Sequence, residues 1–337
     1  MRSASQILSL VNGALAVMPL DRQPASLYEP VRYVLSLGGK RIRPVLMLMA
    51  YELYRDDVER IMPVALGIET YHNYTLLHDD VMDKAELRRG RPTVHKVWNE
   101  NTAILSGDSM LVLAYQMMEQ ADDCHLRDVM KLFTETALEI GEGQQYDLEF
   151  ETRMDVREEE YIEMIRLKTS VLLACALKLG AIQAYAPTED AERLYRFGEN
   201  MGLAFQLQDD LLDVYGDAAT FGKNIGGDIL EGKKTFMLIN ALRLANNTQR
   251  AELERWLATP VEDSIGAAGC TPKGRTAAEK IAAVTALYDA IGVRQLAEKR
   301  INDYFDRAFT CLDAVNLPSD RKQPLRDFAT SLLGRKN

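Results

Sequence analysis

Two short stretches of this 337-residue chain repeat one acidic spacing. IETYHNYTLLHDDVMD (68–83) carries Asp79, Asp80 and Asp83, and FQLQDDLLDVYGD (205–217) carries Asp209, Asp210 and Asp213. Each reads DDxxD inside an apolar helical pattern. Residues four apart share a helix face, so Asp79 stacks one turn from Asp83, and Asp209 one turn from Asp213. Carboxylates so placed repel and would weaken an isolated helix. Hard cations remove that repulsion: Mg²⁺ takes one or two carboxylates, keeps waters, and completes its shell with phosphate oxygens. A single DDxxD is better read as a solvated face or a helix cap, but apolar helical residues lie on both sides of each cluster. The DxDxDG spacing of a calcium loop is missing. Two copies, about 130 residues apart, predict two helices facing across a cavity, each with a carboxylate rim.

Cations stand near these acids. GGKRIRP (38–44) sets Lys40, Arg41 and Arg43 on a glycine-rich turn running into a helix start. Arg88 and Arg89 follow the first cluster and precede a Gly-Arg-Pro turn. Lys168 and Thr169 are expected on an apolar helix, and Lys223 and Lys233 lie in glycine-rich segments after the second cluster. Arg suits bidentate phosphate contacts and Lys serves as a movable point charge, so this set predicts diphosphate binding. Arg41 is expected to be an ordinary surface cation. His72, seven residues before Asp79, lies two turns below it on one face and is a candidate hydrogen-bond donor to substrate. His78 is expected to be structural, and no further His or Cys at ligand spacing suggests zinc.

The elements that must hold these residues are helices. Apolar stripes at three- and four-residue steps run through 3–18, 45–54, 61–78, 102–120, 125–140, 158–185, 189–215, 234–246 and 277–313, and strand signals are nearly absent. Breaks fall at Gly38-Gly39, Gly90-Arg91-Pro92, Pro187, residues 222–227 and a Gly/Pro/Ser-containing stretch at 258–276, read as a surface loop inside one domain spanning 1–337. The chain is 47% hydrophobic and 27% charged, which excludes disorder. Its net charge of -10 makes it a poor binder of nucleic acid or anionic membrane. No apolar run approaches the ~20 residues of a spanning helix. Four scattered cysteines predict reduced thiols in a cytoplasmic protein.

Together these segments resemble the trans-isoprenyl diphosphate synthases, head-to-tail prenyltransferases that include farnesyl and geranylgeranyl diphosphate synthases. The resemblance rests on GGKRIRP, ETYHNYTLLHDDVMD, LRRGRPTVH, GQQYD (143–147), KTS (168–170), FQLQDDLLDVYGD, FGKNIGGD (221–228) and EGKKT (231–235), which keep the family's order over 38–235. The tail from about 248 matches no motif. The resemblance implies an all-α, single-domain helical bundle around a deep central cavity, the isoprenoid synthase fold, and a homodimer. It assigns both aspartate motifs to metal, with three Mg²⁺ ions, although the last Asp of the second motif often acts one step back from the ion. It gives Lys40, Arg43, His72 and Arg89 to isopentenyl diphosphate. Arg88, Lys168, Lys223 and Lys233 go to the allylic diphosphate (dimethylallyl, geranyl or farnesyl), with Gln144, Asp147, Thr169 and Gln206 lining the same cavity. Asp79, Asp209 and Lys168 are the implied catalytic centre.

Product length is read from the residues before the first motif, where an aromatic at the position of Tyr74 restricts products of relatives to short chains. Tyr71, Tyr74 and Thr75 are the candidate floor; a helix–helix contact is the alternative for both tyrosines, with the floor preferred for Tyr74 and neither reading preferred for Tyr71. The small Thr75 points to geranylgeranyl diphosphate, with farnesyl diphosphate the alternative. Rival readings are a terpene cyclase, which needs neither GGKRIRP nor a second intact DDxxD, and a non-catalytic synthase subunit, which typically loses one cluster.

Overall fold

A computed structural model describes residues 1–216, 225–259 and 276–333. The expected all-α class is what forms: helices carry most of the described chain, and its strands are two-residue pieces, Leu87–Arg88 and Arg91–Pro92. Most of the 258–276 stretch, together with Lys223, lies outside the described residues. Among the described residues no helix is long and apolar enough to cross a membrane.

The chain divides into two compact units, each assembled from separate segments. The first comprises 1–137, 172–198 and 309–330. Its helices include α1 (Ala4–Ala16), α2 (Ala25–Ser36), α3 (Ile42–Glu52), α4 (Met62–Met82), a single turn α5 (Val94–Val97) and α6 (Glu100–Met118). RPVLMLMAY is apolar on every side, so α3 is buried throughout its length from Pro44. Gly180 lets a neighbouring helix touch it, since a Cβ there would lie 2.1 Å from the Met47 carbonyl oxygen. Buried Asp190 ties this unit together, accepting from Tyr54 Oη at 3.1 Å, Arg193 at 2.8 Å and the Asn316 N–H at 3.1 Å.

The second unit comprises 138–171, 199–308 and 331–337. The boundaries fall in or beside helices: α7 (Leu126–Thr152), α10 (Thr188–Tyr215) and the helices Val293–Asp313 and Ser319–Leu333 each contribute to both units, and α9 (Val171–Gln183) begins at the remaining boundary. Between α8 (Glu158–Ile165) and α9 the chain makes a five-residue π-turn, Arg166–Ser170. The 158–185 stripe is therefore not one helix, and Lys168 and Thr169 sit on the turn instead. The Val171 N–H reaches back to the Arg166 carbonyl, one residue further than an α-helix allows. The 277–313 stripe is likewise two helices, Ala277–Ile291 and Val293–Asp313, broken where Gly292 adopts φ +86° and caps the first.

Candidate active site

The first aspartate cluster closes α4. The helix ends at Met82, the Asp83 N–H bonds the Asp79 carbonyl at 2.9 Å, and Lys84 turns away with φ +53°. The expectation of helix on both sides of this cluster fails, because Lys84 takes the left-handed conformation that usually announces itself as glycine. The consequence is electrostatic. A helix C-terminus carries the negative end of the macrodipole, so three carboxylates there demand positive charge.

Arg88 supplies part of it, with Nη2 2.6 Å and Nε 2.9 Å from Asp80 Oδ1, and Nη2 3.6 Å from Asp79 Oδ2. Burial pushes the Asp80 carboxyl up while Arg88 pulls it down, and the rise prevails. Arg88 is presented by a hairpin pairing Leu87 with Pro92 and Arg88 with Arg91. Its two central residues, Arg89 and Gly90, both have positive φ, at 54° and 74°. That is the backbone of a primed hairpin turn, normally filled by Asn or Asp before Gly.

The same turn sends Arg89 the other way. Its guanidinium donates to the Gly38 carbonyl and lies over Gly39, where a Cβ would sit 2.8 Å from Cζ. Gly38 (φ +77°) and Gly39 (φ +129°) bend the strap that carries exposed Lys40. Arg43 lies 3.0 Å from His72 Nε2 through Nη1. A guanidinium only donates, so Nε2 accepts and the imidazole proton resides on Nδ1. Burial and the flanking Arg43, Arg89, Arg88 and Arg41 hold His72 well below its ordinary range, so it stays neutral. Burial lowers Arg43 to about 10, with Glu69 opposing and Arg89 reinforcing the fall.

Arg41 corrects the sequence reading. It is no surface cation: it is 5% exposed, with Nη1 2.6 Å from Glu69 Oε1 and Nη2 donating to the Leu35 carbonyl. The charge is tolerated there because buried Glu69, 28 residues away in sequence, neutralises it. Asn73 donates to the same carboxylate oxygen at 2.9 Å.

The second cluster occupies the last two turns of α10 and meets the same unfavourable dipole. Asp210 is buried and accepts from the Tyr161 hydroxyl, from Gln206 Nε2 at 3.3 Å and from the Phe236 N–H at 3.4 Å. Burial pushes its carboxyl up to about 7; the nearby Asp228 adds to the rise, while Tyr161 and Gln206 oppose it. Asp213 accepts the Asp228 N–H at 3.1 Å, at the start of the short helix Gly227–Glu231. Asp228 is a carboxylate the sequence reading passed over, although the Gly-Gly-Asp ending of FGKNIGGD held it. Lys168 Nζ is 2.6 Å from Asp147 Oδ2, and Thr169 Oγ1 donates to Gln206 Oε1 at 3.3 Å. The Lys233 N–H bonds the Asp228 carbonyl at 2.9 Å, which brings Lys233 into the same loop.

A family model described as polyprenyl synthetase matches residues 24–267. The chain belongs to that family. Among polyprenyl synthetases it is 42% identical over 228 residues to a short chain isoprenyl diphosphate synthase of Methanocaldococcus jannaschii, covering 67% of this chain and 69% of that one. It is 35% identical over 328 residues to a geranylgeranyl pyrophosphate synthase of Geoglobus acetivorans, covering 96% and 94%. A crystal structure of a geranylgeranyl pyrophosphate synthase matches the whole of both chains with a TM-score of 0.91 at 41% identity. The shared architecture is the all-α isoprenoid synthase fold.

In this polyprenyl synthetase the residues preceding the first cluster form an aromatic group. Tyr71 is 2% exposed, donates to the Ala137 carbonyl at 3.2 Å, and meets Phe133 edge-on at 5.2 Å between centroids. Tyr115 meets the same Phe133 at 5.0 Å. Tyr74 lies 5.5 Å from Tyr71 and 4.8 Å from the His78 ring, packed against the core that includes Leu77, Met110 and Leu113. Thr75 turns its hydroxyl to the His72 carbonyl at 2.8 Å. His78 fills a helix contact with α6: its Nε2 lies 3.0 Å from the Ile104 carbonyl, and a Cβ on Gly107 would strike it at 2.2 Å.

The donor set of both clusters is all carboxylate oxygen, which suits a hard divalent cation. Among the described residues no three or more His, Cys, Asp or Glu side chains are arranged as an all-protein cage. Carboxylates at helix ends fit an ion that shares its shell with water and substrate phosphate.

Proposed function

We propose that this chain is a geranylgeranyl diphosphate synthase, condensing isopentenyl diphosphate with an allylic diphosphate. The chain is a short-chain prenyltransferase acting on isoprenoid diphosphates with divalent metal. The observation that carries the reading is the repeated placement of DDxxD at the negative end of a helix, with phosphate-binding cations close by. Asp79, Asp80, Asp83, Asp209, Asp210 and Asp213 are the proposed metal-binding residues, and three Mg²⁺ ions are the proposed complement. When bound, the ions neutralise the allylic diphosphate and make it a better leaving group.

The protein's own part is positioning and charge. Arg88, Lys168, Lys223 and Lys233 hold the allylic diphosphate, with Thr169 and Gln206 orienting it. Lys40, Arg43, His72 and Arg89 hold isopentenyl diphosphate, His72 as a neutral Nδ1–H donor. The allylic carbon–oxygen bond breaks with its electron pair leaving on diphosphate. The isopentenyl alkene attacks that carbon, and a proton passes to the departing diphosphate. Cationic side chains fixed in advance stabilise the leaving charge, and apolar walls keep water from the cation.

Tyr71 and Tyr74 are the proposed floor for the growing chain, and the small Thr75 leaves room for twenty carbons. Farnesyl diphosphate is the second reading, favoured by the edge-to-face Tyr71–Phe133–Tyr115 aromatic group. A single catalytic domain over 1–337, acting as a cytoplasmic homodimer, completes the proposal. Incubating the purified chain alone with Mg²⁺, isopentenyl diphosphate and an allylic primer, then chromatographing the products, tests it. A twenty-carbon prenyl diphosphate is expected. Cyclised hydrocarbon, or turnover only with a second subunit, would overturn it.

A further inference from the structure

The π-turn is gripped by two helical faces. On α7, Glu139, Gly143 and Asp147 are spaced four apart and share one face. Glu139 Oε1 lies 3.5 Å from Arg166, a Cβ on Gly143 would come within 2.4 Å of the Lys168 amide nitrogen, and Asp147 pairs with Lys168 Nζ at 2.6 Å. On α10, Glu199, Gly202 and Gln206 do the same from another side. Glu199 Oε1 is 3.2 Å from Arg166 Nη1, a Cβ on Gly202 would come within 2.7 Å of Ser170 Cα, and Gln206 bonds Thr169 at 3.3 Å. The α8 residue Glu163 adds a bidentate contact to Arg166, at 2.8 and 2.9 Å. One guanidinium thus joins three carboxylates from three helices at the head of the turn.

The two glycine contacts admit the backbone but carry no direction. A π-turn holds one residue more than the α-helix it interrupts, and shedding that residue would rotate the downstream backbone by about 100°. Lys168 and Thr169 would then point elsewhere. Arg166 supplies a charged, directional restraint at the head of the turn, joined to three carboxylates.

We propose that Arg166 is a positioning residue for prenyl transfer: by clamping the head of the π-turn to Glu139, Glu163 and Glu199, it fixes the backbone from which Lys168 and Thr169 reach the allylic diphosphate. This rests on the proposed function above, which gives Lys168 and Thr169 to that substrate.

The test is steady-state kinetics on Arg166→Met with each substrate varied in turn. KM for the allylic primer should rise by about tenfold or more, while KM for isopentenyl diphosphate stays within about twofold, with the melting temperature retained. On a Lys168→Ala background the same substitution should add less than about a twofold loss, because the charged side chain that Arg166 chiefly positions is already gone. Equal changes in the two KM values, no change in either, or full additivity with Lys168→Ala would overturn the proposal. If Arg166→Met does not fold, Arg166→Lys reads the same split, since one ammonium cannot reproduce the planar fork. A wild-type chain that makes no product overturns the functional reading and this inference with it; an active wild type with an unselective variant overturns this inference alone.

Discussion

The two middle aspartates, Asp80 and Asp210, are the most enclosed members of their clusters, and each is already engaged by protein donors. For Asp210 this has a measurable consequence. Its carboxyl is pushed up to about 7, above the ~3.9 of an unfolded aspartate. Between those values the folded chain binds more protons than the unfolded chain, so stability falls as pH rises from about 4 to about 7 and then levels off. Asp210→Asn should remove that slope. In thermal melts with chelator present, the variant's advantage should grow up to neutral pH and then hold constant; an advantage independent of pH would contradict the assignment. The basic residues divide differently. Arg43→Ala should chiefly raise KM for isopentenyl diphosphate, and Lys168→Ala should chiefly impair use of the allylic substrate. Reversed effects in initial-rate measurements would mean the two subsites are exchanged.

At the level of elements, α4 carries three jobs along one helix: a buried counter-charge at Glu69, an aromatic group at Tyr71 and Tyr74, and an acidic end at Asp79 to Asp83. If the aromatics are the floor, Tyr74→Ala should lengthen the product and Tyr71→Ala on that background should lengthen it further. A helix rises about 5.4 Å per turn, which sets the expected step at very roughly one isoprene unit. Product chromatography of an active Tyr74→Ala enzyme with an unchanged chain length would refute this. Much of α4 was legible in advance, because periodicity and the four-residue acid spacing are local properties of the sequence. Its end was not, since Lys84 adopts φ +53° without a glycine to mark it. Nor was the π-turn, because Arg166–Ser170 has the composition of an ordinary helix and its grip comes from residues on α7 and α10. Arg41 was misread for a related reason: charge is visible in a sequence, but the partner that buries it, Glu69, is fixed only by the fold.

Across the whole molecule, the recognisable motifs stop near residue 235, yet the tail beyond them is not decoration. Segment 309–330 belongs to the first unit, where Leu312, Val315, Leu325 and Ala329 are at most 2% exposed and Asn316 bonds Asp190 at 3.1 Å. A chain ending at Ala308 should therefore lose the cooperative melt of the full protein and expose apolar surface, read by circular dichroism and dye binding. Retention of the full-length melting profile would show that the segment is dispensable. The same arrangement bears on how the protein is made. Residues 1–137 are synthesised early, but the 309–330 segment that completes their unit follows only after 138–308, most of which belongs to the second unit. Folding of that first unit therefore waits on long-range closure, which is slow and leaves apolar surface uncovered in the meantime.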